Sequence, residues 1–352
     1  MTRKTRYRMM SWSFLLILAL AILIPTASSL LWLNTATATA EAPATNPRAD
    51  YWREVRSGEV GYTTIQGVDR GILIQNAGQN WRQLRNAPIA TYGAYLLIGV
   101  IGAIGLFYLL RGKLKLEHPR TGIKILRWSF FERLLHWYTA ILFIILAITG
   151  LSLLYGRAVL IPLLGKESFA AYASYAHELH NFLGIYFAGG VILMVLLWLR
   201  HNIPIKADLD WFLKGGGMIG HGHPSAGRMN GGEKTWYWVV AIVGLTVCAT
   251  GLFLHFPSLF EQTRNQLQTA HLLHVTLALA WIAFTFGHIY IGTMGSEGSL
   301  EGMVTGYVDE SWAKQHHDLW YEELKQANAI PNNATEQTDK STAPTSDALA
   351  HH

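Results

Sequence analysis

The chain has 352 residues, of which 51% are hydrophobic and only 14% charged, and its formal net charge is +5. Soluble domains carry about a quarter charged residues, so this deficit points to a bilayer as solvent and away from an ordinary soluble enzyme. The basic residues sit in short clusters beside apolar runs, where membrane topology accounts for them without a nucleic-acid partner. The single cysteine, Cys248, excludes disulfides, zinc–thiolate sites and cysteine-ligated clusters within the chain.

Residues 1–40 open on Arg3, Lys4, Arg6 and Arg8, run through an apolar stretch over 12–33, and end on small residues at Ala38 and Ala40. That order reads as a secretory signal peptide, with an uncleaved anchor helix as the alternative; both deliver residue 41 to the outer side. Residues 41–90 read as a polar periplasmic segment of turns with one short helix around Gln79–Asn86. The run 91–110 is long enough to cross a membrane, since ~20 residues at 1.5 Å rise span a ~30 Å hydrocarbon core. Arg111, Lys113, Lys115, Arg120, Lys124, Arg127 and Arg133 follow it. This is the strongest positive-inside signal in the chain and places 111–133 in the cytoplasm.

Four further runs, 134–155, 179–199, 236–256 and 272–293, then alternate in direction. Residues 156–178 are expected as an outer loop, 200–235 as a glycine-rich cytoplasmic loop, and 294–352 as cytoplasmic, with 326–352 a disordered tail. Backbone polar groups in lipid must be satisfied within the segment, so runs of this length choose helices and no sheet is expected. The expected fold class is an all-α membrane protein. A four-helix bundle spans 111–325, preceded by an extra transmembrane helix at 91–110 and a signal peptide or anchor.

Fifteen histidines are the second anomaly. Ionisable residues inside a bilayer are costly and default to function, and four lie within the runs: His136, His180, His274 and His288. By topology, His136 and His288 lie near the cytoplasmic face and His180 and His274 near the outer face. His274 and His288 are 14 residues apart, which returns both to nearly the same helix face about 21 Å apart. Two stacked haems, each held by two histidines of the bundle, fit that pattern, and neutral imidazole suits a low-spin electron-transfer haem. No C-x-x-C-H attachment is present, so the haem is expected to be non-covalent, of the b type. Gly150, Gly184, Gly189, Gly190, Gly251 and Gly287 fit close approach of a backbone or a flat macrocycle, although ordinary helix packing uses glycine in the same way. His271 is a second-choice ligand, about 100° off the stripe. His177 is read as interfacial, and His255 has no further partner at its depth. His201, His221, His223, His316 and His317 are read as solvated or partner-contacting.

Several stretches then converge on one family. Phe131-Glu-Arg-Leu-Leu-His136-Trp137, His180-Asn-Phe-Leu-Gly184, Arg200-His-Asn-Ile-Pro204, Met229-Asn-Gly-Gly-Glu-Lys234, Gly302-Met-Val-Thr-Gly306 and the Trp312 to Tyr321 segment are the carriers. With His274 and His288 they resemble the cytochrome b (gamma) subunit of respiratory formate dehydrogenases over roughly residues 120–325. The resemblance implies two b haems, the outer on His180 and His274 and the inner on His136 and His288, with a quinone site at Asn230 and Gly232 beside the inner haem. It implies an iron–sulfur beta subunit and a molybdenum- or tungsten-containing alpha subunit as partners in a bacterial inner membrane. Electrons from formate would enter outside and reduce ubiquinone or menaquinone near the cytoplasm, with Glu233 or Lys234 as candidate proton carriers. A hydrogenase or thiosulfate reductase cytochrome b is the alternative within the redox class. A metal transporter using the histidine pairs is the alternative outside it.

Overall fold

The computed structural model describes residues 49–57, 64–65, 69, 77–217, 223–259 and 261–330, so the expected signal or anchor and nearly all of the expected tail lie outside the described residues. After helix α1 (Ala49–Ser57), α2 (Ala77–Leu84) runs through a π turn at Arg85–Ile89 into α3 (Ala90–Arg111). Strand β1 (Lys124–Leu126) precedes two long helices, α4 (Phe130–Leu164) and α5 (Lys166–Trp198), and the short α6 (Lys206–Leu213). Next come α7 (Gly231–Val239), continued by a π turn at Val240–Gly244 into α8 (Leu245–His255), and then α9 (Arg264–Tyr290). The described chain ends with α10 (Ser299–Thr305), strand β2 (Tyr307–Asp309), α11 (Glu310–His316) and α12 (Asp318–Gln326). Among the described residues, five helical stretches are long and apolar enough to cross a membrane: 77–111, 130–164, 166–201, 231–255 and 264–295.

The helix starts are written locally. Ser129 accepts from the Glu132 amide while Glu132 accepts from the Ser129 amide, and Thr263 with Gln266 and Asn230 with Glu233 do the same. These reciprocal caps satisfy amides that a helix start leaves orphaned. In lipid the apolar faces gain nothing by leaving water, so close packing must hold the bundle. Accordingly a Cβ at Gly190 of α5 would lie 2.8 Å from Thr139 Oγ1 of α4, which bars a larger residue there. The central core joins Leu142, Phe187, Val191, Val240, Val247 and Trp281 from all four helices of the bundle. The α2–α3 stretch packs along α9 through Leu84, Ile89, Leu97, Leu272, Leu279 and Ile282.

Three expectations need correction. Residues 156–178 are almost wholly helical, not a loop: α4 and α5 extend toward each other and turn at one residue, Gly165, at φ 80° and ψ 167°. That conformation belongs to glycine, and the flanking residues contain only one other breaker, Pro162, in the last turn of α4. A small sheet does exist: β1 and β2 pair antiparallel with Ile125 opposite Val308. It closes the end of the bundle that carries His136 and His288, called here the sheet end; the Gly165 turn marks the hairpin end. Finally, the helix expected at Gln79–Asn86 is the first part of a continuous stretch that reaches Arg111, and α1 is an additional short helix in the same segment.

Candidate functional site

The four singled-out histidines meet in two pairs. His136 of α4 faces His288 of α9 with ring centroids 6.2 Å apart, and His180 of α5 faces His274 of α9 at 6.2 Å. An imidazole nitrogen binds a first-row metal ion at about 2.0 Å, so two rings on opposite sides of one six-coordinate iron stand roughly 6 Å apart, centre to centre. Both pairs match that spacing. Along α9 the two levels are separated by ~21 Å of helix rise.

The hairpin-end pair is held by hydrogen bonds. Thr149 Oγ1 lies 2.8 Å from His180 Nδ1, and Thr250 Oγ1 lies 3.2 Å from His274 Nδ1. The sheet-end pair is held differently: Trp236 of α7 stacks on His288 at 4.6 Å with 10° between planes, while the buried Nδ1 of His136 has no hydrogen-bond partner. A side chain added at Gly184 or Gly287 would meet nothing within 4 Å, so both positions leave room beside the pairs. The donor set, its spacing and that room fit a haem at each level.

An aromatic layer lies between the levels. Phe143, Phe187 and Trp281 sit seven residues beyond His136, His180 and His274, and their centroids are 5.0, 5.6 and 6.1 Å apart. A seven-residue step is nearly two helical turns, so each ring falls on its histidine's face. The sequence contained that spacing, but aromatic stripes are ordinary in membrane helices and only the contacts single it out.

Asn230 caps α7, its Oδ1 accepting from the Glu233 amide at 2.9 Å, six residues before the Trp236 that stacks on His288. Gly232 lies one turn before Trp236, and a Cβ there would meet Trp211 of α6 at 2.9 Å. A cleft of about 360 Å³, lined by Pro204, Asp208, Lys234, Thr235 and Trp238 among others, opens on a different face of α7. Glu233 and Lys234, the candidate proton carriers, are both tied up. Lys234 Nζ pairs with Asp208 at 2.9 Å and donates to the Ile203 carbonyl at 3.1 Å. Glu233 takes Arg127 at 3.1 Å and the Asn230 amide at 2.9 Å.

Arg127 is the residue that sequence reasoning left as topology. It is only 2% exposed and lies over Trp128, Trp312 and Trp320 at 5.0–5.2 Å. Its Nη2 also stands 3.2 Å from Nε2 of His317, whose Nδ1 donates to the Gly227 carbonyl at 2.8 Å. His317 is fully buried, contrary to the solvated or partner-contacting role expected of it, and burial holds its pKa well below the ordinary histidine value. Burial likewise pulls the His316 pKa down to about 4. His223 lies at 5.4 Å from His316 and pairs with Glu117 at 3.3 Å. His271 accepts from the Trp81 indole at 3.2 Å, tying α2 to α9 rather than joining either pair.

An all-helical membrane bundle with two facing histidine pairs at two levels is the architecture of a multi-pass cytochrome of the b class. Residues 127–306 match the family described as prokaryotic cytochrome b561, and the chain belongs to that family. Among its relatives is the cytochrome b556(Fdn) subunit of the nitrate-inducible formate dehydrogenase of Escherichia coli K12, 28% identical over 209 residues. That alignment covers 58% of this chain and 94% of the relative. The formate dehydrogenase cytochrome b556 subunit of Haemophilus influenzae is 31% identical over 210 residues, 57% of this chain and 83% of the relative. The Escherichia coli K12 cytochrome b556(fdo) subunit is 28% identical over 204 residues, covering 57% and 93%.

Proposed function

We propose that this chain is the membrane cytochrome b subunit of a respiratory formate dehydrogenase in a bacterial inner membrane. In this reading it connects a periplasmic iron–sulfur subunit, itself served by a molybdenum- or tungsten-containing catalytic subunit, to a quinone reduced near the cytoplasmic face. The observation that carries the reading is the meeting of His136 with His288 and of His180 with His274 at 6.2 Å, in a chain of this family.

His180 and His274 hold one haem at the hairpin end, and His136 and His288 hold a second at the sheet end. When bound there, haem supplies one-electron carriage, which no side chain of the bundle offers. The protein's part is placement. One helix, α9, fixes both levels on a single face, and the layer of Phe143, Phe187 and Trp281 keeps the gap between them packed and dry. At the sheet end Asn230 has spent its Oδ1 on the helix cap. Its remaining group is the amide donor, the partner a quinone carbonyl requires. Gly232 lets Trp211 close over the same turn. In this reading the basic cluster after α3 lies on the cytoplasmic side, and the sheet end with it. Each electron carried inward then works against the membrane potential, about 2.3 kcal/mol per charge per 100 mV.

The test is a spectroscopic assay on membranes that contain the chain. Added formate reduces a b-type haem and then quinone in the wild type, and does neither when the chain is deleted. Haem reduced by hydrogen and not by formate would transfer the chain to a hydrogenase, and a protein purified without haem would overturn the reading.

A further inference from the structure

The two histidines of the hairpin-end pair are held alike by two different helices. On α4, Thr149 Oγ1 donates toward the Ile145 and Leu146 carbonyls at 2.9 and 3.1 Å and stands 2.8 Å from His180 Nδ1. On α8, Thr250 Oγ1 donates to the Thr246 carbonyl at 2.8 Å and stands 3.2 Å from His274 Nδ1, which also lies 3.0 Å from the Val247 carbonyl. In each case the carbonyl three residues before the threonine also lies against its hydroxyl, at 3.1 and 3.0 Å. A glycine follows each threonine, and a Cβ at Gly150 or Gly251 would come within 3.2 or 3.1 Å of the Cε1 of His180 or His274. Thr149-Gly150 and Thr250-Gly251 are therefore two copies of one imidazole cradle, on two helices of the bundle.

The protons in this cradle can be assigned. A hydroxyl has one proton, and each threonine gives it to a backbone carbonyl of its own helix, so its oxygen accepts from the imidazole. A carbonyl only accepts, so the Val247 carbonyl 3.0 Å away requires His274 Nδ1 to carry the ring proton and Nε2 the lone pair, and the matching threonine contact gives His180 the same tautomer. An Nδ1–H donated to oxygen makes the imidazole a more basic ligand, which favours the oxidised form of whatever metal it binds. The sheet-end pair lacks this arrangement, since His136 Nδ1 is buried without a partner.

We infer that Thr149 and Thr250 are positioning residues that fix the Nδ1–H tautomer of His180 and His274 and hold the potential of the haem at that pair below the value those imidazoles would otherwise give. The inference rests on the reading of His180 and His274 as haem ligands. Thr149→Val and Thr250→Val keep the shape and remove the oxygen; Thr149→Ser and Thr250→Ser restore it. The complex purified from membranes is titrated potentiometrically, followed by reduced-minus-oxidised spectra, with His180→Ala as reference. In the valine variants one of the two potentials rises and the other stays; in the serine variants it returns toward the wild-type value. An unchanged potential at full haem content would overturn the inference. If valine removes the haem altogether, the serine variants decide: recovery of haem and potential supports the assignment, and loss in serine too contradicts it. Retention of both haems by His180→Ala would instead overturn the ligand reading beneath it.

Discussion

Among the described Arg, Lys, Asp and Glu side chains, Arg127 is the least exposed, at 2%. A guanidinium buried under three tryptophans needs an anion, and Glu233 supplies it at 3.1 Å. Removing one partner of a buried pair typically costs about 3–5 kcal/mol, because the other charge is left uncompensated. Glu233→Gln is therefore expected to lower thermal stability in detergent by an amount near the bottom of that range, since Glu233 itself is a third exposed. Glu233→Asp is expected to lose less. His316 makes a second prediction. Its pKa falls from 6.5 unfolded to about 4 folded, so between those values the unfolded chain binds more protons. The stability it contributes is complete above about pH 6.5 and is lost as pH falls toward 4. Melting temperature measured from pH 7.5 to 4.5 should drop through that window, and less so in His316→Asn. A profile identical in the two proteins would show that His316 contributes nothing.

Among elements, the α4–α5 turn rests on one glycine. Gly165 at φ 80° occupies a region that other residues enter at a cost of roughly 1–3 kcal/mol. Gly165→Ala should lower the melting temperature accordingly, while Lys166→Ala, at an exposed position beside it, should not. The helical spans and their order were legible in the sequence because apolar runs near 20 residues leave little choice in lipid. The ends were not, since helices that leave the bilayer lose the hydropathy contrast that marks them. That is how 156–178 reads as a loop and folds as helix. The β1–β2 pair was hidden for another reason: three-residue strands at opposite ends of the bundle's sequence carry no local pattern. The histidine pairing itself was readable from depth and helical phase. What sequence reading missed was the support: Thr149 and Thr250, Trp236 stacked on His288, and the cage around Arg127. These are set by contacts between distant segments, and threonine or tryptophan in an apolar run carries no sign of its partner.

Over the whole molecule, the account requires a direction. The hairpin end must face outward and the sheet end inward for electrons to enter from a periplasmic partner and leave near the cytoplasm. A cysteine introduced at Lys166, in a Cys248→Ser background, should react with a membrane-impermeant maleimide in intact cells, and one introduced at Lys113 only after lysis; the reverse pattern would invert the proposed path. The α2–α3 stretch, packed on α9 outside the four-helix unit, adds a fifth span without a histidine in either pair. The central claim remains that the bundle holds two haems on four named histidines, and haem quantification of the purified protein tests it most directly. The account predicts two b haems per chain, one of them lost in His136→Ala or His288→Ala and the other in His180→Ala or His274→Ala. A single haem in the wild type, or variants that pair differently, would contradict it.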